Sequence, residues 1–317
     1  MTLLKTKDLY WLCIIFMIRG AGWIPWWRVR QAIATCAGRL GYAALAKRRK
    51  RTAEHLATVF DGQLGAREVD QITRECFREY WREALSLLPT AGERALLRQA
   101  KIQGWQHLEE ALADGKGVIL WEASVFGSRN ASKWILQDKG ISVHQVHAQN
   151  HIGWEGLDAD AASWVSEHLI VPVFRRWMKR FVASIIWLPE TESLAFTRVL
   201  LDLLEHNGIV CSTADGEWGQ RLASVELLGH KRRFATGMPS LAKVSGAALL
   251  PLFCIQDRHG IPTLMIGPPI HLDGRADRHK ALEKCVAQWV RLFESLVRQH
   301  PGKYRGWHGF RNDRELQ

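Results

Sequence analysis

The chain has 317 residues, enough for one large domain or two of ordinary size. Apolar residues make up 47% and charged residues 24%, proportions that exclude a disordered or low-complexity chain. Lys and Arg outnumber Asp and Glu by 43 to 32, a formal net charge of +11. This surplus favours a polyanionic partner such as an anionic membrane surface, a nucleic acid or a phosphorylated substrate.

The N-terminal part begins with an unbroken apolar run over Leu9–Ile18, flanked by charged residues. Ten residues make a helix of about 15 Å, half the thickness of a bilayer's hydrocarbon core. Trp23, Trp26 and Trp27 follow, and Trp favours the membrane–water boundary. No small-residue cleavage pattern follows, so we expect the segment to be retained. The pattern predicts a monotopic helix lying at the membrane surface.

Five consecutive cations occupy Lys47–Arg51. They form either a solvated helix turn or a site of attraction to anionic lipid headgroups, worth about 1 kcal/mol per residue near the surface. No recognition motif for DNA or RNA accompanies the run, so we expect no nucleic-acid partner.

The pattern of apolar residues changes near residue 100. Residues 1–100 read as a helical, membrane-associated region, in which 67–88 has helical spacing and is followed by Pro89. Beyond it, short apolar runs alternate with helical patterns. Strands are expected at 117–121, 141–146, 185–188, 208–212 and 247–254, an edge strand at 264–266, and helices at 196–204 and 281–297. This order predicts an α/β domain over 101–317 with a central mixed sheet flanked by helices.

Two loops that follow predicted strands, 122–132 and 213–240, are where such a sheet would carry its chemistry. His144, His147 and His151 lie near the end of another strand, but no carboxylate completes a ligand set, so we expect no metal. The six cysteines form no C-x-x-C pair and favour buried free thiols in a reducing compartment.

Six blocks, taken together and in order, resemble the bacterial lipid A biosynthesis (lauroyl/myristoyl) acyltransferases of the lysophospholipid acyltransferase superfamily. The blocks are 77–88, 115–121, 213–221, 228–237, 245–253 and, near the C-terminus, Pro301, Tyr304, Trp307, His308 and Phe310-Arg311. The resemblance implies a glycerolipid acyltransferase-like fold with an N-terminal membrane-docking segment. It further implies peripheral or monotopic attachment at the cytoplasmic face of the bacterial inner membrane.

The same resemblance implies transfer of a fatty acyl group from an acyl carrier protein or coenzyme A thioester to a hydroxyl of a lipid or glycolipid acceptor. No cofactor is expected, because the thioester is itself a substrate. Acyl carrier protein and an anionic membrane surface are the implied partners. The implied substrate-binding residues are Phe126, Gly127, Asp215, Gly216, Arg221, Thr236 and Gly237. Arg221 either holds a phosphate or is a surface residue near an acidic neighbour.

The family motif is H-x4-D/E, in which the His removes the proton of the acceptor hydroxyl and the carboxylate orients the imidazole. Its usual form is His-Phe-Gly-Asn-Trp-Glu, and Phe126 and Gly127 hold that register here. Val125 then stands at the base position and Asn130 at the carboxylate position. Loss of a positioned base costs about 10²- to 10⁴-fold in rate.

Three interpretations remain open. A new base has been recruited, with Glu122 and Ser124 as candidates, although Glu122 could instead pair with Arg129 and Ser124 could cap the loop. Alternatively, the chain is a non-catalytic relative that binds lipid or acyl carrier protein. In the third interpretation, positioning and desolvation replace the base. We expect a divergent membrane-associated acyltransferase, with catalytic turnover as the open question.

Overall fold

The computed structural model describes residues 5–148, 163–189, 193–215, 221–272 and 278–309. Most of the N-terminal third is helical. The helices are α1 (Thr6–Ala21), α2 (Trp27–Ala44), α3 (Ala46–Val59), α4 (Ala66–Leu85), α5 (Ala91–Arg98), α6 (Trp105–Ala113), α7 (Arg129–Asp138), α8 (Val171–Met178), α9 (Leu194–Glu205), α10 (Gly237–Ser245) and α11 (Arg278–Gln299).

A seven-stranded sheet forms the centre of the described α/β part, in the order β1-β9-β8-β2-β5-β3-β4. Its strands are β1 (Lys101–Gln103), β2 (Val118–Glu122), β3 (Val143–Ala148), β4 (Ser184–Leu188), β5 (Ile209–Thr213), β8 (Ala248–Gln256) and β9 (Pro262–Ile266). All neighbours pair in parallel except β8 and β9. The predicted mixed sheet flanked by helices is therefore confirmed.

Two strand predictions need correction. Residues 264–266 belong to β9, which lies between β8 and β1 and so is not an edge strand. On that side of the sheet the edge strand is β1, three residues without an apolar run; β4 is the opposite edge. The predicted loop 213–240 contains a second sheet, the hairpin of β6 (Leu222–Leu227) and β7 (His230–Ala235). Its two-residue turn has positive φ at both Leu228 (54°) and Gly229 (78°), as a type I′ turn requires.

The sheet separates two apolar clusters because successive side chains of a strand point to opposite faces. Val118 and Leu120 of β2 enter one cluster, whereas Ile119 and Trp121 enter the other. By the same alternation, Glu122 falls on the face of Val118 and Leu120. A fully buried carboxylate therefore ends an otherwise apolar strand face.

Helices α1 to α5 precede the first strand. One face of α1 is buried against the protein through Trp11, Ile14 and Ile18, while Phe16 is 71% exposed. None of the helices in the described ranges has the length and hydropathy needed to cross a bilayer. A separate N-terminal domain over 1–100 and its docking to a membrane stay predictions.

The cysteine prediction holds for part of the set. Cys76, Cys211, Cys254 and Cys285 are buried free thiols, whereas Cys13 and Cys36 are exposed. The two exposed thiols lie on helices α1 and α2, whose outer faces the rest of the described chain leaves uncovered.

Candidate active site

The candidate site lies where β2 and β5, neighbours in the sheet, end in parallel. A backbone hydrogen bond connects the ends of the two strands, where the loops begin: the N–H of Ala214 donates to the carbonyl of Glu122 at 2.7 Å. One residue further on, the N–H of Ser124 donates to Oδ1 of Asp215 at 2.7 Å. The two loops expected to carry the chemistry therefore meet at the carboxyl edge of the sheet.

Residues 303–305, far along the chain from the first loop, hold that loop in place through backbone contacts. The N–H of Gly127 donates to the carbonyl of Lys303 at 3.0 Å, and the N–H of Arg305 donates to the carbonyl of Val125 at 2.8 Å. Between these bonds, Phe126 and Tyr304 form an isolated antiparallel bridge. The segment that resembles the C-terminal signature of the family thus holds the loop that resembles its catalytic motif.

Phe126 and Gly127 have clear packing roles. The Phe126 ring is buried edge-on against Phe253 and Phe293, with ring centroids 6.3 and 5.7 Å away. Gly127 has φ of +59°, and a Cβ atom there would lie 1.9 Å from the carbonyl oxygen of Cys254. Contact of either residue with a substrate stays a prediction.

Asn130, at the family's carboxylate position, is bonded to α4. Its Nδ2 donates to the carbonyl of Glu83 at 3.2 Å and to Oγ of Ser86 at 3.1 Å. Val125, at the base position, is half-buried and packs against the cluster that contains Phe126. Neither side chain can accept a proton from an alcohol.

Glu83 is a site residue that the sequence analysis missed. Its Oε1 accepts the N–H of Asn130 at 3.1 Å, and its Oε2 accepts the hydroxyl of Ser128 at 2.9 Å. A carboxylate from α4 therefore sits at the N-terminus of α7, where negative charge is favourable. Helical spacing gave no signal for it, because the contact joins residues 47 positions apart.

Glu122 is held by two cations of α7. Its Oε1 accepts from Nε and Nη2 of Arg129 at 3.0 and 2.8 Å, and its Oε2 accepts from Nζ of Lys133. Burial works to raise the pKa of Glu122, but the charges and hydrogen bonds of Arg129 and Lys133 prevail and lower it to about 2. Partial burial of Arg129, whose side chain is 12% exposed, works to lower its pKa, but the charge and hydrogen bond of Glu122 prevail and raise it above the usual range.

This geometry favours the second interpretation of Glu122, an ion-paired carboxylate, because a group with so low a pKa is a weak base at neutral pH. Arg129 was the partner named for it; Lys133 was not anticipated. Ser124 contacts Asp215 through its backbone N–H, so a catalytic role for its hydroxyl stays a prediction.

Two of the three noted histidines lie on β3, and His151 falls outside the described residues. Nδ1 of His144 is 2.8 Å from Oγ of Ser184. Burial and the positive charge of Arg129 lower the pKa of His147 to about 3, so its ring is neutral at pH 7. Across the described ranges, no His, Cys, Asp and Glu side chains cluster as metal ligands do.

The second loop brings three more of the predicted residues together. The N–H and the hydroxyl of Thr236 both donate to the carbonyl of Arg221, at 3.1 and 3.0 Å. Thr236 directly precedes α10, so Gly237 is the first residue of that helix. The Arg221 side chain is exposed, as in its surface interpretation, while phosphate binding stays a prediction. Gly216 lies outside the described residues.

Asp215 is half-buried at the start of this loop. Burial raises the pKa of its carboxyl above the ordinary value, and hydrogen bonding from Ser124 and the charge of Arg129 oppose that shift. It therefore differs from Glu122, whose cations prevail over burial.

The sheet, the loop 125–128 and residues 303–305 together form the candidate active site of an α/β protein. Residues 185–308 match the family model of the bacterial lipid A biosynthesis acyltransferases. This match agrees with the resemblance carried by the sequence blocks.

The chain is also similar to curated relatives, phosphatidylinositol mannoside acyltransferases from Mycobacterium tuberculosis strains CDC 1551 / Oshkosh and ATCC 25618 / H37Rv. Each is 28% identical over 188 residues, which is 59% of this chain and 54% of the relative. The match thus spans about half the length of these relatives. The family and the relatives are acyltransferases, which supports an enzymatic role.

Proposed function

We propose that this chain is a divergent membrane-associated acyltransferase. It moves a fatty acyl group from an acyl carrier protein or coenzyme A thioester to a hydroxyl of a lipid-linked or glycolipid acceptor. The observation that carries the proposal is the loop 125–128, in which Phe126 and Gly127 match the family motif. Backbone hydrogen bonds join this loop to Lys303 and Arg305, which lie in the span 185–308 that matches the family model.

The substrates follow from the same resemblance. The proposed substrates are an acyl thioester and an acceptor that carries a hydroxyl group, and no cofactor is part of the proposal. The proposed binding residues remain Phe126, Gly127, Asp215, Gly216, Arg221, Thr236 and Gly237. A net charge of +11 suits both an acidic carrier protein and an anionic lipid surface. Nucleic acid forms no part of the proposal.

The proposed place of action is the cytoplasmic face of the bacterial inner membrane, with peripheral or monotopic attachment. Exposed apolar side chains on α1 and the segment after it support the attachment. Phe16, Trp23 and Trp26 are 71%, 84% and 68% exposed, where large apolar residues of the fold are otherwise mostly buried.

The test uses the full-length protein in vesicles that contain a bacterial glycolipid extract. Radiolabelled acyl carrier protein and acyl coenzyme A thioesters are supplied separately, and thiol release and label in lipid are both measured. We expect label to enter the lipid with one donor, in step with thiol release. Thiol release without lipid labelling would indicate hydrolysis and contradict the transfer.

A second candidate function rests on Val125 and Asn130, which replace both members of the motif pair. In that case the chain binds acyl carrier protein or lipid as a non-catalytic partner of an active acyltransferase. Saturable binding of an acyl carrier protein thioester, without consumption of the thioester under any acceptor, would favour this candidate over transfer.

A further inference from the structure

The valine at position 125 leaves open which group takes the proton of the acceptor hydroxyl. Three carboxylates lie around the motif loop in the part of the chain that the structure describes: Glu83, Glu122 and Asp215. Glu122 is neutralised by Arg129 and Lys133 in a buried trio. Glu83 is occupied by the hydroxyl of Ser128 and the N–H of Asn130 at the start of α7.

Asp215 is the carboxylate that remains. It follows β5, the immediate neighbour of β2 in the sheet, and the N–H of Ser124 holds its Oδ1 at 2.7 Å. Ser124 directly precedes Val125, so this bond holds the carboxylate against the backbone of the loop, one residue before the vacated base position. Within the described ranges no cation forms an ion pair with Asp215, and the residue is half-buried rather than enclosed. It is therefore positioned, accessible and not neutralised.

We propose that Asp215 is the general base of this chain, a role that rests on the proposed acyl transfer. As the acceptor oxygen attacks the thioester carbonyl, a carboxylate oxygen of Asp215 takes the hydroxyl proton. The ester C–O bond forms, the C–S bond breaks, and the departing thiolate takes the proton back from the carboxylic acid. Atoms and charges balance, and no further reactant is needed.

The electrostatics suit this role. Burial raises the pKa of Asp215 above that of an ordinary aspartate, which strengthens it as a base at neutral pH. The hydrogen bonding from Ser124 and the charge of Arg129 act in the opposite direction. Further ionisable groups near this edge, among the described residues, are Glu122 of β2, Lys133 of α7, His147 of β3, Cys211 of β5 and Glu83 of α4.

The experiment compares the full-length parent with Asp215→Asn in the vesicle assay. Asn keeps the shape of Asp and an oxygen that can accept the N–H of Ser124, but it cannot act as a base. We expect kcat to fall at least about 100-fold with little change in KM or melting temperature. Asp202→Asn, on the exposed surface of α9, is the matched control and should keep the parent rate.

The pH profile separates a base from a merely structural group. In the parent, kcat should fall on the acid side, with an inflection above the usual aspartate range, and this limb should be absent from the residual activity of Asp215→Asn. A parent-like kcat in Asp215→Asn overturns the inference. So does a loss confined to KM, or a parent profile without an acid limb.

The two proposals fail in different ways. No transfer by the parent with either donor removes the proposed function and this inference together. Transfer by the parent that Asp215→Asn does not slow removes the inference alone.

Discussion

Glu122, Arg129 and Lys133 put three charges into the interior next to the motif loop. Arg129 stands where the usual family motif has a tryptophan. Taking charges out of water costs several kcal/mol per ion, and mutual attraction offsets this only when the geometry is good. The trio satisfies that condition, because both carboxylate oxygens of Glu122 accept hydrogen bonds.

Removing the carboxylate of the trio should destabilise the fold strongly. In Glu122→Gln the two cations of α7 stay buried without their counter-charge, so we expect a loss of about 3–5 kcal/mol in the free energy of unfolding. Urea denaturation at pH 7 measures it. Glu54→Gln, which alters an exposed pair with Lys50, is the control and should change stability by less than about 0.5 kcal/mol.

The same trio predicts the acid response. The pKa of Glu122 is lowered to about 2 in the folded chain, below the 4.5 of an ordinary glutamate. A lowered pKa contributes stability that is fully present above the unfolded-state pKa and is lost as the pH falls through the folded one. The stability difference between the parent and Glu122→Gln should therefore shrink between pH 4.5 and about 2; a constant difference would contradict the ion-pair assignment.

For single residues, the sequence predicted which residues stand at the motif positions better than it predicted which side chains contact each other. The register of Val125 and Asn130 was predictable because Phe126 and Gly127 are sequence neighbours that hold it. The contact of Glu83 with Ser128 was not, since it joins residues 45 positions apart on different elements. Lys133 was missed for a related reason: a lysine in a helical pattern is usually exposed, and only the tertiary fold turns it toward Glu122.

At the scale of secondary-structure elements, the candidate site is centred on residues 123–128, which connect β2 to α7. Its path depends on the left-handed turn at Gly127, which lets the backbone approach β8 closely: the N–H of Ser128 donates to the carbonyl of Cys254 at 2.7 Å. A side chain at Gly127 would push these two segments apart.

Gly127→Ala and Gly140→Ala form a matched pair that measures this approach. Both glycines have positive φ, +59° and +79°, but only Gly127 has a backbone atom in the way, since a Cβ at Gly140 meets nothing within 4 Å. We expect Gly140→Ala to cost about 1 kcal/mol from backbone strain alone. Gly127→Ala should cost clearly more by urea denaturation and abolish acyl transfer; equal costs would show that the loop relaxes without penalty.

The elements themselves were predictable where apolar residues dominate. The run 117–121 became β2 and the helical spacing of 281–297 became α11, each within three residues. The β6–β7 hairpin was not predicted because its strands mix polar and apolar residues without a sustained apolar run, as Ser224 and Glu226 do in β6. Its type I′ turn carries Leu where Asn is favoured, which removed the usual hairpin signal.

At the scale of the whole molecule, seven of the thirteen exposed large apolar side chains in the described residues lie between Leu9 and Leu45. Trp23 and Trp26 lie between α1 and α2, and Leu40 of α2 is also exposed. The sequence indicated an interfacial segment there from its composition. The structure adds which side chains face outward, information that a ten-residue apolar run without polar interruptions cannot provide.

Substitution of both Trp23 and Trp26 by Ala should weaken membrane binding. Loss of two indole side chains from the interface should cost at least about 1.4 kcal/mol, a tenfold fall in the partition coefficient on vesicles of anionic lipid. Co-sedimentation of the full-length chain measures it, with Trp164→Ala, 43% exposed and outside the N-terminal helices, as the control. A parent that stays in the supernatant at low salt contradicts the prediction, and release by high salt alone points to Lys47–Arg51 instead.

The backbone hydrogen bonds that join Val125 and Gly127 to residues 303–305 have a consequence for the folding of the chain during its synthesis. The two partners are about 180 residues apart in sequence, as the side-chain bond from Arg305 to Gly127 also shows with its separation of 178. During translation at about 5–20 residues per second, the motif loop emerges from the ribosome many seconds before its partner. In a nascent chain the motif loop therefore lacks these contacts, and the proposed acyl transfer can begin only after residues 303–305 have docked.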